Sequence, residues 1–315
     1  MKTQRSFSKR GFTLMELMVA MAITTIIVTV LVSITSIALD TWNRSRAELR
    51  ASRQAKSMID IMAKDLESLV VRKGNNSEWL SAQVPTPSEF RDLGEGMKST
   101  NATKLIFFTA ATDRYNGDIG GSADLGGDVS CVAYQLEYKD PIDPSGSSKF
   151  KSFVLSRYLV NPDKAFTDLL GKTDSTNPAK SLDAVFNAAY PAQISLPENF
   201  VCDNIFQFTV TFHVQTTNGL VVTTTPVTIG QSNEETTSKT FKIQGSGIAT
   251  ESTSAALLPA QLASARVTAV EISATILSDT AIERIKTQTF TAAAKSKFLA
   301  QNSYEYTKVV QLPSM

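Results

Sequence analysis

The stretch KRGFTLMELMV, residues 9–19, places two cations and a glycine directly before an apolar run that one carboxylate, Glu16, interrupts. Residues 17–39 then contain no charged side chain. As an α-helix, residues 17–39 would measure roughly 34 Å, which is long enough to cross the hydrocarbon of a bilayer. The sequence therefore predicts a transmembrane helix with an acid close to its start.

The composition excludes several functional classes. The 315 residues are 42% hydrophobic and 19% charged, with 31 Lys and Arg against 30 Asp and Glu. Such a chain can bury a sizeable core, but its near-balanced charge gives no basis for nucleic-acid binding, which needs clustered basic surface. Two cysteines and one histidine are too few for the common tetrahedral zinc sites. We therefore expect no nucleic-acid partner, no tetrahedral zinc site and no cofactor.

The charges around the apolar run predict its orientation. The first eleven residues contain no acid and four cations, Lys2, Arg5, Lys9 and Arg10. Because the cytoplasmic flanks of membrane helices are enriched in Lys and Arg, the amino terminus should be cytoplasmic. Everything after Asp40 should then lie on the other side of the membrane.

Three fates are open for this segment. It could be a secretory signal peptide that is removed, since Ser36 and Ala38 supply the small residues that signal peptidase favours. It could also be an uncleaved anchor, or a segment that is cut before its apolar run.

Residues 9–16 favour the last of these fates, because they resemble the type IV prepilin (class III) signal. That signal has a short basic leader ending in Gly, then Phe-Thr-Leu and a Glu at the fifth mature position. The resemblance implies that a prepilin peptidase cuts between Gly11 and Phe12 and methylates the new amine of Phe12. Residues 1–11 would then be a cleaved leader and residues 12–39 the retained transmembrane helix.

The same resemblance implies a role for Glu16. A carboxylate in the hydrocarbon costs roughly 2.5 to 3.5 kcal/mol on insertion scales, so it is tolerated where a cation can pair with it. In pilins the fifth-position Glu meets the terminal amine of a neighbouring subunit, which here would be the amine of Phe12. Alternatively, Glu16 lies near the helix end and snorkels to the headgroups.

Beyond the membrane the helical pattern continues. Apolar side chains recur at spacings of three and four, opposite a charged face. They are Ala51, Ala55, Met58, Met62, Leu66 and Leu69. Gly74 supplies a stop signal. Residues 40–74 are therefore predicted to extend the helix outside the membrane and to pack on a head domain.

Residues 75–315 are predicted to form that head, which is β-rich, so that the predicted fold class is α+β and pilin-like. The clearest strand is residues 204–215, where apolar and polar side chains alternate, and Asn218-Gly219 predicts a hairpin into a return strand. Further strands are predicted at residues 104–110, 130–138, 151–160 and 267–277. Helices are predicted at residues 164–170, 181–189 and 281–301.

The order of the segments resembles minor pseudopilin J of type II secretion. The segments that carry this resemblance are residues 54–69, 132–136, 155–158, 199–212 and 270–272. Similar segments occur in the Verru_Chthon cassette protein C family. Residues 222–265, rich in Thr and Ser, depart from the pattern and are interpreted as an insertion.

Few side chains suggest chemistry. His213 lies on the polar face of its strand and is interpreted as a surface residue. Cys131 and Cys202 could form a disulfide in an oxidising compartment, or remain two buried free thiols. The loop at residues 113–128 has aspartates among glycines and could bind Ca²⁺, although its spacing is not that of an EF-hand and ordinary turns have the same composition.

The sequence thus predicts a non-enzymatic, single-pass subunit of a type IV pilus or type II secretion filament, minor or tip-located. Its head would lie in the periplasm or outside the cell. Its partners would be prepilin peptidase, other pilin or pseudopilin subunits and the membrane. A minor pilin for DNA uptake or adhesion, and a membrane-anchored periplasmic enzyme, are the alternatives.

Overall fold

The computed structural model describes residues 13–84, 103–110, 128–141, 151–219, 221–230, 240–250 and 259–312. The chain divides into two compact units, Met1–Leu49 and Arg50–Met315. Helix α1 (Leu14–Glu67) contributes residues to both units.

The first unit contains the amino-terminal part of α1. All its described side chains are exposed except Ala47, which is half-buried. Within the described residues, α1 is the one helix that is long and apolar enough to cross a membrane. An apolar helix surface that the protein itself leaves uncovered is what a membrane span requires.

The second unit contains a seven-stranded antiparallel sheet with strand order β5-β4-β3-β2-β1-β8-β9. Its strands are β1 (Glu78–Gln83), β2 (Lys104–Thr109), β3 (Ser130–Lys139), β4 (Ser152–Val160), β5 (Phe200–Asp203), β8 (Thr240–Gln244) and β9 (Gly247–Thr250).

A four-stranded antiparallel sheet in the same unit has the order β11-β10-β6-β7. Its strands are β6 (Ile205–Asn218), β7 (Val221–Ile229), β10 (Arg266–Leu277) and β11 (Ser303–Gln311). The hairpin between β6 and β7 turns at Gly219, whose φ of 61° is a conformation that glycine adopts without strain. Strand β7 lies at one edge of this sheet and contains Pro226.

Short helical elements connect the strands. They are α2 (Pro162–Lys164) with the π-helical continuation Ala165–Leu170, α3 (Leu182–Ala189), α4 (Pro259–Leu262), α5 (Asp279–Thr287) and α6 (Ala292–Asn302), with 3₁₀ turns at Pro178–Lys180 and Pro197–Asn199. Ser181, Ser278 and Thr291 cap α3, α5 and α6 with their hydroxyl oxygens.

The main core joins α1 to both sheets. Met58 and Met62 of α1 are fully buried in one apolar cluster with Phe107 of β2 and Phe208 and Phe212 of β6. Burying one such side chain contributes about 1.5 to 3 kcal/mol. A second cluster contains Trp79, Phe108 and other apolar side chains from β1 to β4, with residues of the segment that includes α3. Each sheet strand from β1 to β3 is therefore covered on both faces.

The structure confirms an α+β fold with a long amino-terminal helix and an antiparallel β-rich head, but it corrects several boundaries. Helix α1 ends at Glu67 instead of reaching Gly74. It ends there because the following backbone bonds to β2: the amide of Val70 donates to the carbonyl of Phe108, and the amide of Ala110 donates to the carbonyl of Ser68.

One other expectation was wrong. Residues 281–301 form parts of two helices, α5 and α6, because Gln288 is extended and Thr291 caps a new start. Because of this break the ring of Phe290 packs against the ring of Phe298, with their centroids 5.0 Å apart. Residues 222–265, interpreted as an insertion, include most of β7, which pairs with β6, and β8, which pairs with β1.

Candidate assembly segment

The start of α1 is fixed by a reciprocal pair of residues, Thr13 and Glu16. The amide and the hydroxyl of Thr13 both donate to Oε2 of Glu16, at 2.9 and 3.0 Å. In return the Glu16 amide donates to Oγ1 of Thr13 at 3.2 Å. This arrangement is a capping box, in which Thr at the cap and Glu three residues later satisfy amides that the first turn would leave unpaired. Thr13 and Glu16 therefore set the first residue of the helix.

Glu16 keeps one carboxylate oxygen for another partner. Both Thr13 contacts reach Oε2, and within the described part of the chain Oε1 accepts no hydrogen bond. A carboxylate can accept several hydrogen bonds, so the capping box does not use up its capacity. The predicted processing residues Gly11 and Phe12 lie outside the described residues.

The threonine hydroxyl groups of the apolar segment bond within the helix. Thr24, Thr25 and Thr29 donate to the carbonyls four residues earlier at 2.8 Å. A hydroxyl that is already bonded to the backbone can enter hydrocarbon without an unpaired donor. These small side chains can therefore face lipid or another helix at little cost.

One of the comparisons with known proteins concerns this segment. Residues 6–32 match the family model described as the prokaryotic N-terminal methylation motif. The amino-terminal segment is therefore similar to that of proteins that carry this motif. Among solved structures, a type IV-like pilin from Thermus thermophilus shares 10% identity and a TM-score of 0.30, covering 84% of this chain and 97% of the other. So low a TM-score carries no argument about the fold. No curated protein sequence is significantly similar to this chain.

Helix α1 ends in a buried ionic network that joins it to β3 and β4. Asp65 of α1 is fully buried, and its Oδ2 lies 2.8 Å from Nε of Arg157, while its Oδ1 lies 3.2 Å from Nη2. The hydroxyl of Tyr134 donates to Oδ2 of Asp65 at 2.5 Å. Burial and the Asp65 carboxylate raise the pKa of Tyr134 well above its usual value. The three side chains hold α1 in one register against the sheet.

Sequence reasoning did not identify Asp65 as part of a site. A signal was present, since Asp65 falls among the apolar positions of the helix, next to Leu66 and three residues after Met62. An acid on an apolar helix face indicates a buried partner. The partners themselves, Tyr134 and Arg157, are distant in sequence and could not be found by spacing.

The two cysteines are buried free thiols, the second of the two possibilities, and form no disulfide. Cys131 belongs to the cluster around Trp79, whereas Cys202 belongs to the main core, on the other face of the sheet. Side chains on opposite faces of a sheet cannot reach one another. Burial raises the pKa of both thiols, that of Cys202 to about 12 with a smaller contribution from the Asp203 carboxylate.

The remaining predicted sites have different outcomes. His213 lies on the polar face of β6 as expected, but it is half-buried and its Nε2 lies 3.5 Å from Oε2 of Glu271. The predicted calcium loop lies outside the described residues except for Asp128. No cluster of three or more metal-ligating side chains occurs in the part of the chain that the structure describes.

Proposed function

We propose that this chain is a membrane-anchored, pilin-like subunit that assembles with neighbouring subunits through its amino-terminal helix. After removal of residues 1–11, Glu16 of one subunit pairs with the Phe12 amine of the next. The observation that carries the proposal is the methylation motif at residues 6–32, which overlaps the exposed apolar start of α1. The subunit works by assembly rather than by catalysis.

The geometry of Glu16 supports this pairing. Its carboxylate is exposed, and the capping box engages Oε2 alone. Oε1 can therefore accept from a positive amine without loss of the cap. Charge-assisted hydrogen bonds are about twice as strong as neutral ones, and they are least screened in hydrocarbon.

The proposal also sets the location and partners of the chain. Prepilin peptidase processes Gly11 and Phe12 at the cytoplasmic membrane, and the head lies in the periplasm or outside the cell. A minor or tip position in a type II secretion or pilus filament, and equivalence to pseudopilin J, are the finer parts of this proposal.

Mass spectrometry of the amino terminus, on protein isolated from its native membrane, tests the processing step. We expect a chain that begins at a methylated Phe12. A terminus near residue 39 would show a cleaved secretory signal, and an intact Met1 would show a simple anchor. Either result would contradict the proposal.

Two substitutions separate assembly from helix capping. Glu16→Gln keeps the capping box, which accepts Glu or Gln, but removes the charge that pairs with the amine. Thr13→Ala removes the hydroxyl of the cap and keeps the charge. If charge pairing drives assembly, chemical crosslinking in membranes should detect subunit ladders for Thr13→Ala and none for Glu16→Gln. The reverse result would assign Glu16 to capping alone.

A further inference from the structure

A short charged row follows the apolar part of α1. Asp40, Arg44 and Glu48 recur every fourth residue, so they lie along one side of the helix. All three side chains are exposed. Within the described residues none of them makes an ion pair, although their spacing would permit one along the helix.

The spacing of this row equals the offset between Phe12 and Glu16. When the Phe12 amine of one subunit lies level with Glu16 of the next, every residue of the first lies level with the residue four positions later in the second. Two parallel helices in this register are displaced by about 6 Å along their axes. The first subunit's Asp40 then lies level with the second subunit's Arg44, and its Arg44 lies level with Glu48.

Heptad periodicity brings both contacts to the same side when two such helices supercoil about one another. Asp40 and Arg44 follow Phe12 and Glu16 at an interval of 28 residues, which is four heptads. In helices that supercoil about one another, residues separated by whole heptads face the same neighbour. Helix axes that pack 8 to 10 Å apart allow Arg and acidic side chains to meet.

We propose that the row Asp40, Arg44 and Glu48 forms a second contact between two copies of this chain, in the register set by Glu16 and Phe12. The partner is a second copy because the chain itself carries acidic and basic residues that become level with one another at the four-residue offset. Such a contact is heterologous, since each copy uses different residues toward the next, and repeated heterologous contacts build open helical filaments. The inference rests on the proposed Glu16 pairing and adds a homotypic neighbour to it, so it requires a filament position that several copies of this chain share rather than a single-copy tip.

Cysteine crosslinking in membranes measures this register directly. Ile37 and Thr41 lie on the side of the helix that carries the charged row and are four residues apart. The double variant Ile37→Cys and Thr41→Cys should give disulfide-linked dimers and higher ladders of this chain. Each single variant should give none, because a four-residue offset places residue 37 opposite residue 41. Crosslinking of Ile37→Cys alone, or only to a different protein, would overturn the inference.

Charge reversal tests the row in that double-cysteine background. Arg44→Glu places like charges at both contacts and should reduce crosslinking several-fold. Arg46→Glu is the matched control, because it makes the same charge change on the other side of the helix and should leave crosslinking unchanged. The combined reversal Asp40→Arg, Arg44→Glu and Glu48→Arg restores complementarity and should restore the ladders. An equal loss of crosslinking in Arg44→Glu and Arg46→Glu would contradict a contact through the row. A combined reversal that fails to restore the ladders would contradict it as well.

Glu16→Gln in the same background separates this inference from the proposed function. If Glu16 sets the register, Glu16→Gln should abolish assembly as well as the crosslinks between residue 37 and residue 41. If the crosslinks persist in Glu16→Gln, the contact through the charged row is supported and the proposed pairing of Glu16 with the Phe12 amine is contradicted. If chemical crosslinking gives Glu16-dependent subunit ladders but residues 37 and 41 never crosslink, the Glu16 pairing is supported and the contact through the charged row is contradicted.

Discussion

Arg157 on β4 holds Asp65 of α1 through two hydrogen bonds, at 2.8 and 3.2 Å, in a place where the carboxylate has no contact with solvent. The two residues are 92 positions apart in sequence. Removing a charge from water is costly, and the cost is recovered only when the pair remains complete. The pair therefore specifies where the helix lies on the sheet more than it adds to stability.

Asp65→Asn should destabilise the protein strongly, because it leaves the Arg157 guanidinium without its counter-charge. We expect the free energy of unfolding to fall by about 3 to 5 kcal/mol, measured by urea unfolding of the full chain in detergent. The matched control is Arg50→Gln, since Arg50 pairs with Asp279 at 3.1 Å but both side chains are more than half exposed. That substitution should cost no more than about 1 kcal/mol. Similar losses for the two variants would contradict the buried network.

The raised pKa of Tyr134 predicts lower stability in alkali. Burial, assisted by Asp65, keeps the phenol protonated in the folded state, whereas an unfolded tyrosine ionises near pH 10. This contribution is complete below about pH 10 and is lost as the pH rises toward the folded pKa, with a slope of up to about 1.4 kcal/mol per pH unit. Tyr134→Phe should have a shallower decline in unfolding free energy between about pH 10 and 11.5. Identical slopes in both proteins would rule out this role for Tyr134.

Both thiols should be unreactive in the folded protein. Cys131 and Cys202 are fully buried, and their raised pKa values leave almost no thiolate at neutral pH. A chromogenic thiol reagent at pH 8 should modify neither cysteine in the native chain and two per chain after denaturation. Recovery of one or no thiol after denaturation without reductant would indicate a disulfide and contradict the structure.

Two glycines with positive φ should respond differently to a side chain. At Gly219, φ +61°, an added Cβ meets nothing within 4 Å, so Gly219→Ala carries only the conformational cost of about 1 to 2 kcal/mol. At Gly247, φ +134°, the same carbon would lie 2.6 Å from Cα of Ala263. Gly247→Ala should therefore lower the unfolding free energy clearly more, in the same urea titration. A larger loss at Gly219 would contradict the close approach at Gly247.

Local pattern was sufficient for much of the fold. The alternation in β6 and β10 predicted these two strands to within a few residues, because one face of each strand is buried and the other is not. The Asn218-Gly219 turn predicted the hairpin from β6 into β7. The prepilin-like residues around Glu16 predicted the amino-terminal segment because their spacing is specific.

The missed elements share a physical reason. Strand β1 is short and almost entirely buried, so it shows no alternation. Strand β11 is an edge strand with Glu305 and Lys308 among its residues, and its single neighbour is β10. The partner of Asp65 depended on the fold of distant strands. These features follow from tertiary context, which the sequence pattern does not contain.

Pro226 also has a consequence for subunits that are held close together. An exposed edge strand offers unpaired amides to any other strand, and crowded heads would increase the risk of aggregation by sheet extension. Proline has no amide hydrogen, and edge strands accommodate it where that hydrogen would face the open side. At the β7 edge the continuous row of donors that a foreign strand would need is therefore interrupted, which disfavours sheet extension from one head to another.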